Sequence, residues 1–224
     1  MPLLTVIVPA YNEEKTIRDI IEKISKVNID KEIIVIDNGS QDQTGHILRG
    51  IQQPNLKVIH HVTNRGKGGA VLTGLSKATG RYIIIQDADL EYDPQDYGLL
   101  LQAAQEQNAD LVLGARFTKG YHGSPIPRMG NCFLTAFFNI LFGAKLNDCL
   151  TCYKLFPSAK LPELKLTSMN FDIEIEIVSK AMRKKFKTVE VPISYMPRKY
   201  TDGKKIRWGD GIKLAFTILK FRFS

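Results

Sequence analysis

The chain has 224 residues, of which 44% are hydrophobic and 24% are charged. This length suits one α/β domain that buries a substantial core without disulfides, and the composition excludes a disordered chain. The formal net charge is +8, but residues 1–110 carry 11 basic and 15 acidic side chains, whereas residues 111–224 carry 20 and 8. A basic half of this kind indicates an anionic partner.

The first four predicted strands and the helices between them follow one pattern. Apolar runs that predict strands cover residues 4–9, 32–36, 56–61 and 82–86, and helix-like segments lie near residues 14–26, 42–51 and 67–78. This βαβα order predicts a mostly parallel sheet flanked by helices. Ligand sites of such sheets lie at the carboxyl ends of the strands.

The second half of the chain has fewer regular signals. It predicts helices over 93–107, 131–142, 168–183 and 208–221, and strands over 110–115, 148–156 and 188–196. Residues 119–128 are rich in Gly, Pro and Ser without periodicity, which indicates a mobile loop beside the site. We expect a single domain over residues 1–224 that ends in a basic amphipathic helix at about 207–222.

The cysteines and the hydropathy pattern bear on location. Cys132, Cys149 and Cys152 cannot all pair and no signal-peptide pattern precedes them, so we expect a cytoplasmic protein with reduced thiols. Zinc needs about four ligands and Cys149-x-x-Cys152 has no second pair, which favours buried free thiols. No apolar stretch reaches the roughly 18 to 20 residues that span a bilayer, so any membrane contact is expected to be peripheral, on the cytoplasmic face.

Carboxylates gather where the fourth predicted strand ends. The apolar run leads into Asp87-Ala88-Asp89, and Glu91 follows two residues later. Strand side chains alternate between faces and a following loop can turn toward one point, so these carboxylates can converge on a divalent cation. An isolated Asp-x-Asp is more often solvated or caps a helix. Here the first strand also ends in ligand-capable residues, PAYNEE, and the second ends at Asp37.

Four segments together carry a family resemblance. PAYNEE (9–14), DNGSQDQT (37–44), NRGKGGA (64–70) and DADLE (87–91), in this order and spacing, resemble the motifs of the family 2 glycosyltransferases of the GT-A fold. They are most similar to the branch of dolichyl-phosphate mannose synthases and polyprenyl-phosphate glycosyltransferases. The resemblance implies a Rossmann-like α/β domain that binds a nucleotide-sugar donor with Mg²⁺ or Mn²⁺.

The resemblance also implies roles in donor binding. Asp89 and Glu91 would be the first metal ligands, and Asp87 would lie at the ribose and beside the metal, with direct ligation by Asp87 as the alternative. The family has Gln where Glu91 stands, so this site carries an extra negative charge. Asp37 would contact the base, and the residues around base and ribose would be Pro9, Ala10, Tyr11 and Glu13, with Ala88 inside the acidic motif.

Elementary chemistry is consistent with these roles. Tyr11 offers a stacking face, and Glu13 and Asp37 can accept hydrogen bonds from the base or the ribose hydroxyls. The alternative for Glu13 is a first-turn charge that complements a helix dipole.

The segment Gly66-Lys67-Gly68-Gly69 superficially suggests a phosphate loop. It lacks the Walker spacing and the Ser or Thr after Lys, and it is not G-x-G-x-x-G after a strand, so NAD is not expected. We expect the glycines to permit tight entry into a helix and Lys67 to approach the nucleotide. A lone lysine is more often solvated, which is the alternative.

A second set of candidate residues is basic. The family places one Arg after the fifth strand, one after a Pro-rich loop and an R-x-x-G-x-S-K element near the end, which GARF, IPRMGN and RKYTDGKKI resemble. The last spacing is one residue longer here, and Lys204 replaces Ser. Guanidinium groups suit phosphate oxygens because their paired donors match in fork geometry. We expect the donor diphosphate and the acceptor phosphate to be held by Arg116, Arg128, Arg198 and Lys205.

Two further segments resemble the sugar and acceptor side of the family. DCLTCYKLF (148–156) would place Asp148 and Thr151 there, with Cys152 where the family has Gly. NFDIE (170–174) would place Glu174 near the sugar. The alternative for Glu174 and its neighbours Asp172 and Glu176 is the polar stripe of an exposed helix. The predicted catalytic residues are therefore Asp89, Arg116, Arg128 and Glu174.

The predicted reaction depends on the acceptor. A phosphate is already anionic at pH 7 and attacks without losing a proton, whereas a hydroxyl needs a general base. The arginines and the resemblance favour inverting transfer of a hexose from GDP-mannose or a UDP-sugar to polyprenyl phosphate. One alternative is transfer to a hydroxyl of a saccharide or lipid, with Glu174, Asp172 or Asp148 as base. Another is a non-catalytic membrane-binding protein of the same fold.

The basic C-terminal part indicates a membrane rather than a nucleic acid as its partner. No helix-turn-helix, zinc-finger or RNP pattern accompanies its lysines and arginines, so no nucleic acid is expected. Trp208, Ile212, Ala215, Phe216 and Leu219 recur at helix-like intervals among the basic residues. We expect this helix to dock on an anionic membrane, with packing on the sheet as the alternative.

Overall fold

The computed structural model describes residues 1–118, 121, 123–198 and 208–223. The strands are β1 (Leu4–Ala10), β2 (Lys31–Asp37), β3 (Leu56–His60), β4 (Tyr82–Ile85), β5 (Leu111–Ala115), β6 (Lys154–Pro157) and β7 (Thr188–Pro192). The helices are α1 (Ile17–Lys26), α2 (Thr44–Arg49), α3 (Gly66–Leu75), α4 (Tyr97–Glu106), α5 (Pro125–Phe142), α6 (Leu161–Leu164), α7 (Ile173–Arg183) and α8 (Trp208–Phe223). Short 3₁₀ turns precede α4 (Pro94–Asp96) and α6 (Ser158–Lys160).

The seven strands form one sheet in the order β3-β2-β1-β4-β6-β5-β7. All neighbours are parallel except β6, which is antiparallel to β4 and β5. The register pairs Ala10 with Asp37 and Ile7 with Ile85, so β1, β2 and β4 end at the same edge. The prediction of a mostly parallel sheet flanked by helices is confirmed, and the three motif-bearing strand ends are neighbours.

The core explains why these segments fold as they do. The central strands are buried along nearly their whole length, as expected for parallel strands covered by helices on both faces. Helix α1 buries Ile17, Ile20, Ile21 and Ile24, the spacing of one helical face. Among the described residues, no helix combines the length and the hydropathy needed to cross a membrane.

Several predicted boundaries differ from the structure for local reasons. The loop predicted over 119–128 ends early because α5 begins at Pro125, and proline favours the first turn of a helix. The strand predicted over 148–156 is confined to β6, because the backbone N–H of Asp148 and that of Cys152 donate to side chains instead. The strand predicted over 188–196 ends at Pro192.

The helix predicted over 168–183 begins only at Ile173. The residues before it lie against the N-terminus of α3, where the Gly69 N–H donates to the Met169 carbonyl at 3.0 Å. A Cβ on Gly66 would lie 2.2 Å from the Met169 carbonyl oxygen, and a Cβ on Gly68 would lie 2.1 Å from that of Ser168. Gly66 also has a positive φ of +76°. These glycines therefore allow two backbone segments to touch.

This contact predicts an asymmetry between two glycine substitutions. Gly68→Ala places a methyl group against backbone, so we expect the free energy of unfolding to fall by more than about 2 kcal/mol. Gly98→Ala is the matched control, because a Cβ on this residue of α4 meets nothing within 4 Å. It should be neutral or stabilising by up to about 1 kcal/mol. Urea unfolding measures both, and equal effects would contradict the close packing.

Candidate active site

A cavity of about 810 Å³ opens at the carboxyl ends of β1, β4 and β5 and extends between α5 and α8. Two predicted site residues, Asp37 and Arg128, are each adjacent in sequence to a residue that lines the cavity. These lining residues are Asn38 and Pro127. Lys205 lies outside the described residues. Asp148 and Thr151, which were expected to border the sugar and the acceptor, are fully buried behind the cavity wall. Twelve other predicted site residues line the cavity: Pro9, Ala10, Tyr11, Glu13, Lys67, Asp87, Ala88, Asp89, Glu91, Arg116, Glu174 and Arg198.

Asp37 is held in place at the end of β2. Its carboxylate accepts a hydrogen bond from the Ser40 N–H at 3.1 Å and lies 2.9 Å from His60 Nδ1. The residue is nearly buried, and neighbouring Gly45 leaves room for its carboxylate. The sequence did not single out His60, although its register position opposite Asp37 makes the contact natural. The role of Asp37 toward a base stays a prediction.

The three acidic residues after β4 have different partners. Asp87 Oδ1 forms an ion pair with Lys67 Nζ at 2.6 Å. Glu91 accepts hydrogen bonds from the Tyr195 hydroxyl at 2.8 Å and from the Arg198 backbone N–H at 2.7 Å. Among the described residues, Asp89 Oδ1 accepts one hydrogen bond, a local one from the Glu91 N–H at 3.1 Å. Within the described ranges, three such side chains do not converge in a ready-made metal site.

The chemistry around Asp89 nevertheless fits a divalent cation. Burial, with the charges of Asp87 and Glu91, raises the pKa of Asp89 from 3.8 to about 7. This carboxylate therefore lies in a region with excess negative charge. Carboxylate oxygens are the ligands that Mg²⁺ and Mn²⁺ prefer. The assignment of Asp89, Glu91 and Asp87 to the metal stays a prediction.

Glu174 lies at the centre of a buried charge network. Its Oε1 is 2.7 Å from Lys67 Nζ and its Oε2 is 2.5 Å from Lys154 Nζ. Glu174 and Glu176 are both buried, so the alternative of an exposed polar stripe is wrong for them. Glu176 instead accepts the backbone N–H groups of Thr167 and Ser168, which fixes the segment before α7.

Lys154 was missed by sequence reasoning. It is fully buried in β6, where it binds Glu174 and the Thr151 carbonyl. A charged residue in the apolar run around it is a usable signal, because a buried ammonium must be paired. The sequence could not name its partner, which lies 20 residues away on α7.

Arg198 and Glu13 connect the segment after β7 to the segment after β1. Arg198 Nη2 lies 2.8 Å from Glu13 Oε2, and its Nε donates to the Asp89 carbonyl at 2.7 Å. The alternative for Glu13, a simple helix-dipole charge, does not account for this pair. Arg198 thus lies at the acidic motif, while its expected contact with a diphosphate stays a prediction.

Arg116 is anchored by Asp148. Its Nε donates to Asp148 Oδ2 at 2.6 Å and its Nη2 donates to Oδ1 at 2.8 Å. The guanidinium also stacks near the rings of Phe117 and Tyr195. Burial lowers the pKa of Arg116, but the Asp148 charge outweighs this and holds it well above its ordinary value. The guanidinium is therefore a fixed cation in the cavity wall.

Arg128 has a different environment from Arg116. It is exposed on the first turn of α5, with its guanidinium 6.0 Å from the Phe117 ring and 5.9 Å from the Tyr121 ring. Among the described residues it forms no ion pair with a carboxylate. Its cationic group is therefore available to an anionic ligand.

Two buried thiols lie near these charges. Burial raises the pKa of Cys149 to about 11 and that of Cys152 well above its ordinary value. Cys152 Sγ lies 3.7 Å from Lys67 Nζ, and the described cysteines are all free. The prediction of buried free thiols is confirmed for this pair, while Cys132 is exposed on α5.

The far arm of the cavity is apolar. Between α5 and α8 its walls are Ile126, Phe133, Leu134, Leu150, Leu214, Phe216 and Leu219. Ile126, Phe133 and Phe216 are also more than half exposed, so they form the rim of its mouth. The cavity therefore joins a charged arm at the strand ends to an apolar arm that opens at the surface.

The environment of Asp89 predicts a pH-dependent stability effect. Its pKa is raised in the folded protein, so the unfolded protein loses this proton first and stability falls as the pH rises from about 4 to 7. In a metal-free buffer at pH 8, Asp89→Asn should raise the free energy of unfolding, by up to about 4 kcal/mol. At pH 4 the gain should nearly vanish. Urea unfolding at both pH values tests this, with exposed Glu22→Gln as control, and equal gains would contradict it.

The sequence matches the family model described as glycosyl transferase family 2 over residues 5–159. One similar protein is UDP-N-acetylglucosamine–dolichyl-phosphate N-acetylglucosaminyltransferase of Methanococcus voltae, 28% identical over 99% of this chain and 97% of its own length. Another is low-salt glycan biosynthesis hexosyltransferase Agl6 of Haloferax volcanii, 28% identical over 88% of this chain and 48% of its own.

Solved structures show the same fold. Glucosyl-3-phosphoglycerate synthase from Mycobacterium tuberculosis, in complex with Mn²⁺, uridine diphosphate and glucosyl-3-phosphoglycerate, is similar with a TM-score of 0.76 and 21% identity, over 99% of this chain and 80% of its own. Residues 1–349 of S. aureus TarS with UDP-GlcNAc give a TM-score of 0.66 at 18% identity, over 97% and 66%. The predicted GT-A fold is confirmed. Since the family model covers more than half of the chain, the predicted glycosyltransferase is confirmed too, and the protein is a member of glycosyl transferase family 2.

Proposed function

We propose that this glycosyltransferase moves a hexose, with inversion and with a divalent cation, from a nucleotide sugar to a polyprenyl phosphate at a membrane surface. The observation that carries the proposal is the two-armed cavity, charged at the strand ends and apolar between α5 and α8. A nucleotide sugar fits the first arm and an isoprenoid chain fits the second. The reacting phosphate would lie where the arms meet.

The charged arm offers groups for each part of a nucleotide-sugar donor. Tyr11 and Glu13 line it beside the end of β1, next to the acidic motif. A divalent cation, when bound at Asp89, would neutralise the charge that grows on the leaving diphosphate. The names of the M. voltae relative and of the structures solved with uridine diphosphate support a UDP-sugar, with GDP-mannose as the second candidate.

The contacts of the carboxylates favour a phosphate over a hydroxyl acceptor. Both oxygens of Glu174 face ammonium groups, and both oxygens of Asp148 face the Arg116 guanidinium. Both carboxylates are engaged by cations, whereas a hydroxyl acceptor requires a base that can reach and remove its proton. A phosphate needs no such base, and its direct attack in a single displacement inverts the anomeric carbon.

The two arginines near the junction of the arms suit that phosphate. Arg116 is oriented by Asp148 and lines the cavity, whereas Arg128 has its guanidinium free for a ligand. An oriented cation and a free one together provide charge-assisted hydrogen bonds to several phosphate oxygens. The dolichyl phosphate in the name of the M. voltae relative supports the same acceptor class.

The outer faces of α5 and α8 support docking on an anionic membrane. On α5, Ile126, Met129, Phe133 and Ile140 are exposed at helical spacing, and the helix contains no acidic residue. On α8 the exposed stripe is Lys213, Phe216, Lys220 and Phe223. Apolar side chains can enter the interface while each lysine near an anionic leaflet contributes roughly 1 kcal/mol.

The exposed residues of α8 differ from the apolar face that the sequence predicted for this helix. Ala215 and Leu219 are half-buried, Leu219 lines the cavity, and the side chains of Trp208 and Ile212 lie outside the described residues. The alternative named the sheet, but one side of α8 packs instead on α5 and α7, where Ile218 and Phe221 are buried. The opposite, exposed side of α8 is the one proposed to contact a membrane, together with the exposed apolar residues of α5.

The proposed acceptor is tested by comparing transfer to a lipid phosphate with transfer to the alcohol of the same lipid. The protein is incubated with Mn²⁺, UDP-GlcNAc, UDP-glucose or GDP-mannose, and either farnesyl phosphate or farnesol in detergent. We expect a glycosylated lipid from the phosphate alone, because Glu174 and Asp148, two of the candidate bases, are already held in ion pairs. Product from farnesol at a comparable rate would overturn the proposed acceptor.

The same assay tests Arg128. Arg128→Ala should lower transfer to the lipid phosphate at least tenfold while the affinity for free UDP stays within about twofold, since a charged hydrogen bond is lost only at the acceptor. Lys57→Ala, an exposed substitution in β3 at the far side of the sheet, is the control. An equal loss of affinity for UDP would show that Arg128 binds the donor and not the acceptor.

Membrane docking is tested with vesicles. We expect co-sedimentation with phosphatidylglycerol vesicles at low salt, weaker binding at high salt and little binding to phosphatidylcholine. Phe133→Ser combined with Phe216→Ser should lower binding severalfold, whereas Leu99→Ser, an exposed apolar position on α4, should not. Unchanged binding of the double variant would exclude this face.

A further inference from the structure

Lys67 occupies a position that is unfavourable for a cation on local grounds. It is the second residue of α3, where the helix dipole presents positive charge, and its side chain is about one-tenth exposed. Tertiary contacts must offset both effects. Burial lowers the pKa of Lys67, but the charges of Asp87 and Glu174 outweigh it and hold the pKa well above its ordinary value. The ammonium is therefore charged and held by carboxylates.

The two carboxylate partners of Lys67 are not equivalent. Glu174 is also bound by Lys154, so its position does not depend on Lys67. Asp87 lies in the cavity wall, is more exposed than Glu174, and belongs to the acidic motif beside Asp89. The Lys67 ammonium lies 2.6 Å from Asp87 Oδ1, so it occupies the position that a second cation would need in order to bind this oxygen.

The arrangement thus sets two cations against each other at one carboxylate. A divalent cation at Asp89 would lie close to Asp87, and the Lys67 ammonium would repel it as long as it stays there. The diphosphate of a donor changes this balance, because it offers the ammonium new anionic oxygens inside the same cavity. Two ligands that relieve each other's repulsion bind with positive coupling.

We propose that Lys67 is an exchangeable counter-ion of the acidic motif. Without a donor its ammonium bridges Asp87 and Glu174 and weakens the binding of a bare divalent cation. When a nucleoside diphosphate arrives, the ammonium keeps Glu174, leaves Asp87 and pairs with a phosphate oxygen, and Asp87 becomes available to the cation. Lys67 thereby makes cation binding depend on the donor. This inference rests on the proposed use of a nucleotide sugar.

The test is a binding measurement without turnover. Mn²⁺ is titrated into wild type and Lys67→Met and followed by the electron paramagnetic resonance of the free ion, first alone and then with saturating UDP or GDP. Removing the ammonium should tighten the binding of Mn²⁺ alone by about tenfold, since a like charge has left Asp87. It should weaken the binding of UDP or GDP, measured calorimetrically with Mn²⁺ present, by about tenfold, since a phosphate contact is lost.

Three variants define the result. Lys67→Arg keeps the charge, so the binding of Mn²⁺ alone should stay weak. Lys67→Gln removes the charge and should behave as Lys67→Met does. Lys77→Met replaces an exposed lysine just after α3 and should change neither the Mn²⁺ affinity nor the nucleotide affinity. Unchanged or weaker binding of Mn²⁺ alone to both neutral variants would overturn the proposal. Loss of cooperative unfolding in both would show that the ammonium is a fixed structural part, and would overturn it as well.

Failure of the proposed function gives a different result. If the wild-type protein bound neither UDP nor GDP in the presence of Mn²⁺, the nucleotide-sugar donor would be wrong. The titration with Mn²⁺ alone would still report whether Lys67 competes for Asp87.

Discussion

The site depends on a backbone contact between α3 and the segment before α7. Gly66 and Gly68 lie so close to the carbonyls of Ser168 and Met169 that a side chain at either glycine would force the segments apart. This contact places Lys67 opposite Glu174, two residues more than 100 positions apart in the chain. Because Glu174 also reaches β6 through Lys154, one packing constraint ties α3, the sheet and α7 into the floor of the cavity.

Several charges in and behind the cavity wall are held in ion pairs. Lys67, Lys154, Arg116 and Arg198 face carboxylates of Asp87, Glu174, Asp148 and Glu13. Removing one partner from such a buried pair leaves an uncompensated charge, which costs roughly 3–5 kcal/mol. The pairs of Lys154, Arg116 and Arg198 therefore hold their side chains in fixed positions, which preorganises the cavity for charged ligands. Among the described residues Asp89 forms no ion pair, and burial with the charges of Asp87 and Glu91 raises its pKa.

Much of the fold and part of the site could be predicted from the sequence. The apolar runs and their spacing indicated the parallel strands, and the edge where such strands end located the PAYNEE and DADLE segments in one cavity. The ion pairs could not be predicted, because the partners of Arg116 and Lys154 are 32 and 20 residues away and depend on packing. Likewise, the sequence pattern of α5 indicated an apolar helix but not which of its apolar residues would stay exposed.

The burial of Cys149 and Cys152 has a chemical consequence. Thiolates, not thiols, react with oxidants and electrophiles, and the raised pKa of both groups keeps them protonated at neutral pH. A sulfur atom thus borders the charged arm without bringing redox sensitivity to it. The exposed Cys132 on α5 is the thiol that such reagents would reach first, which makes it a natural attachment point for a spectroscopic label beside the mouth of the cavity.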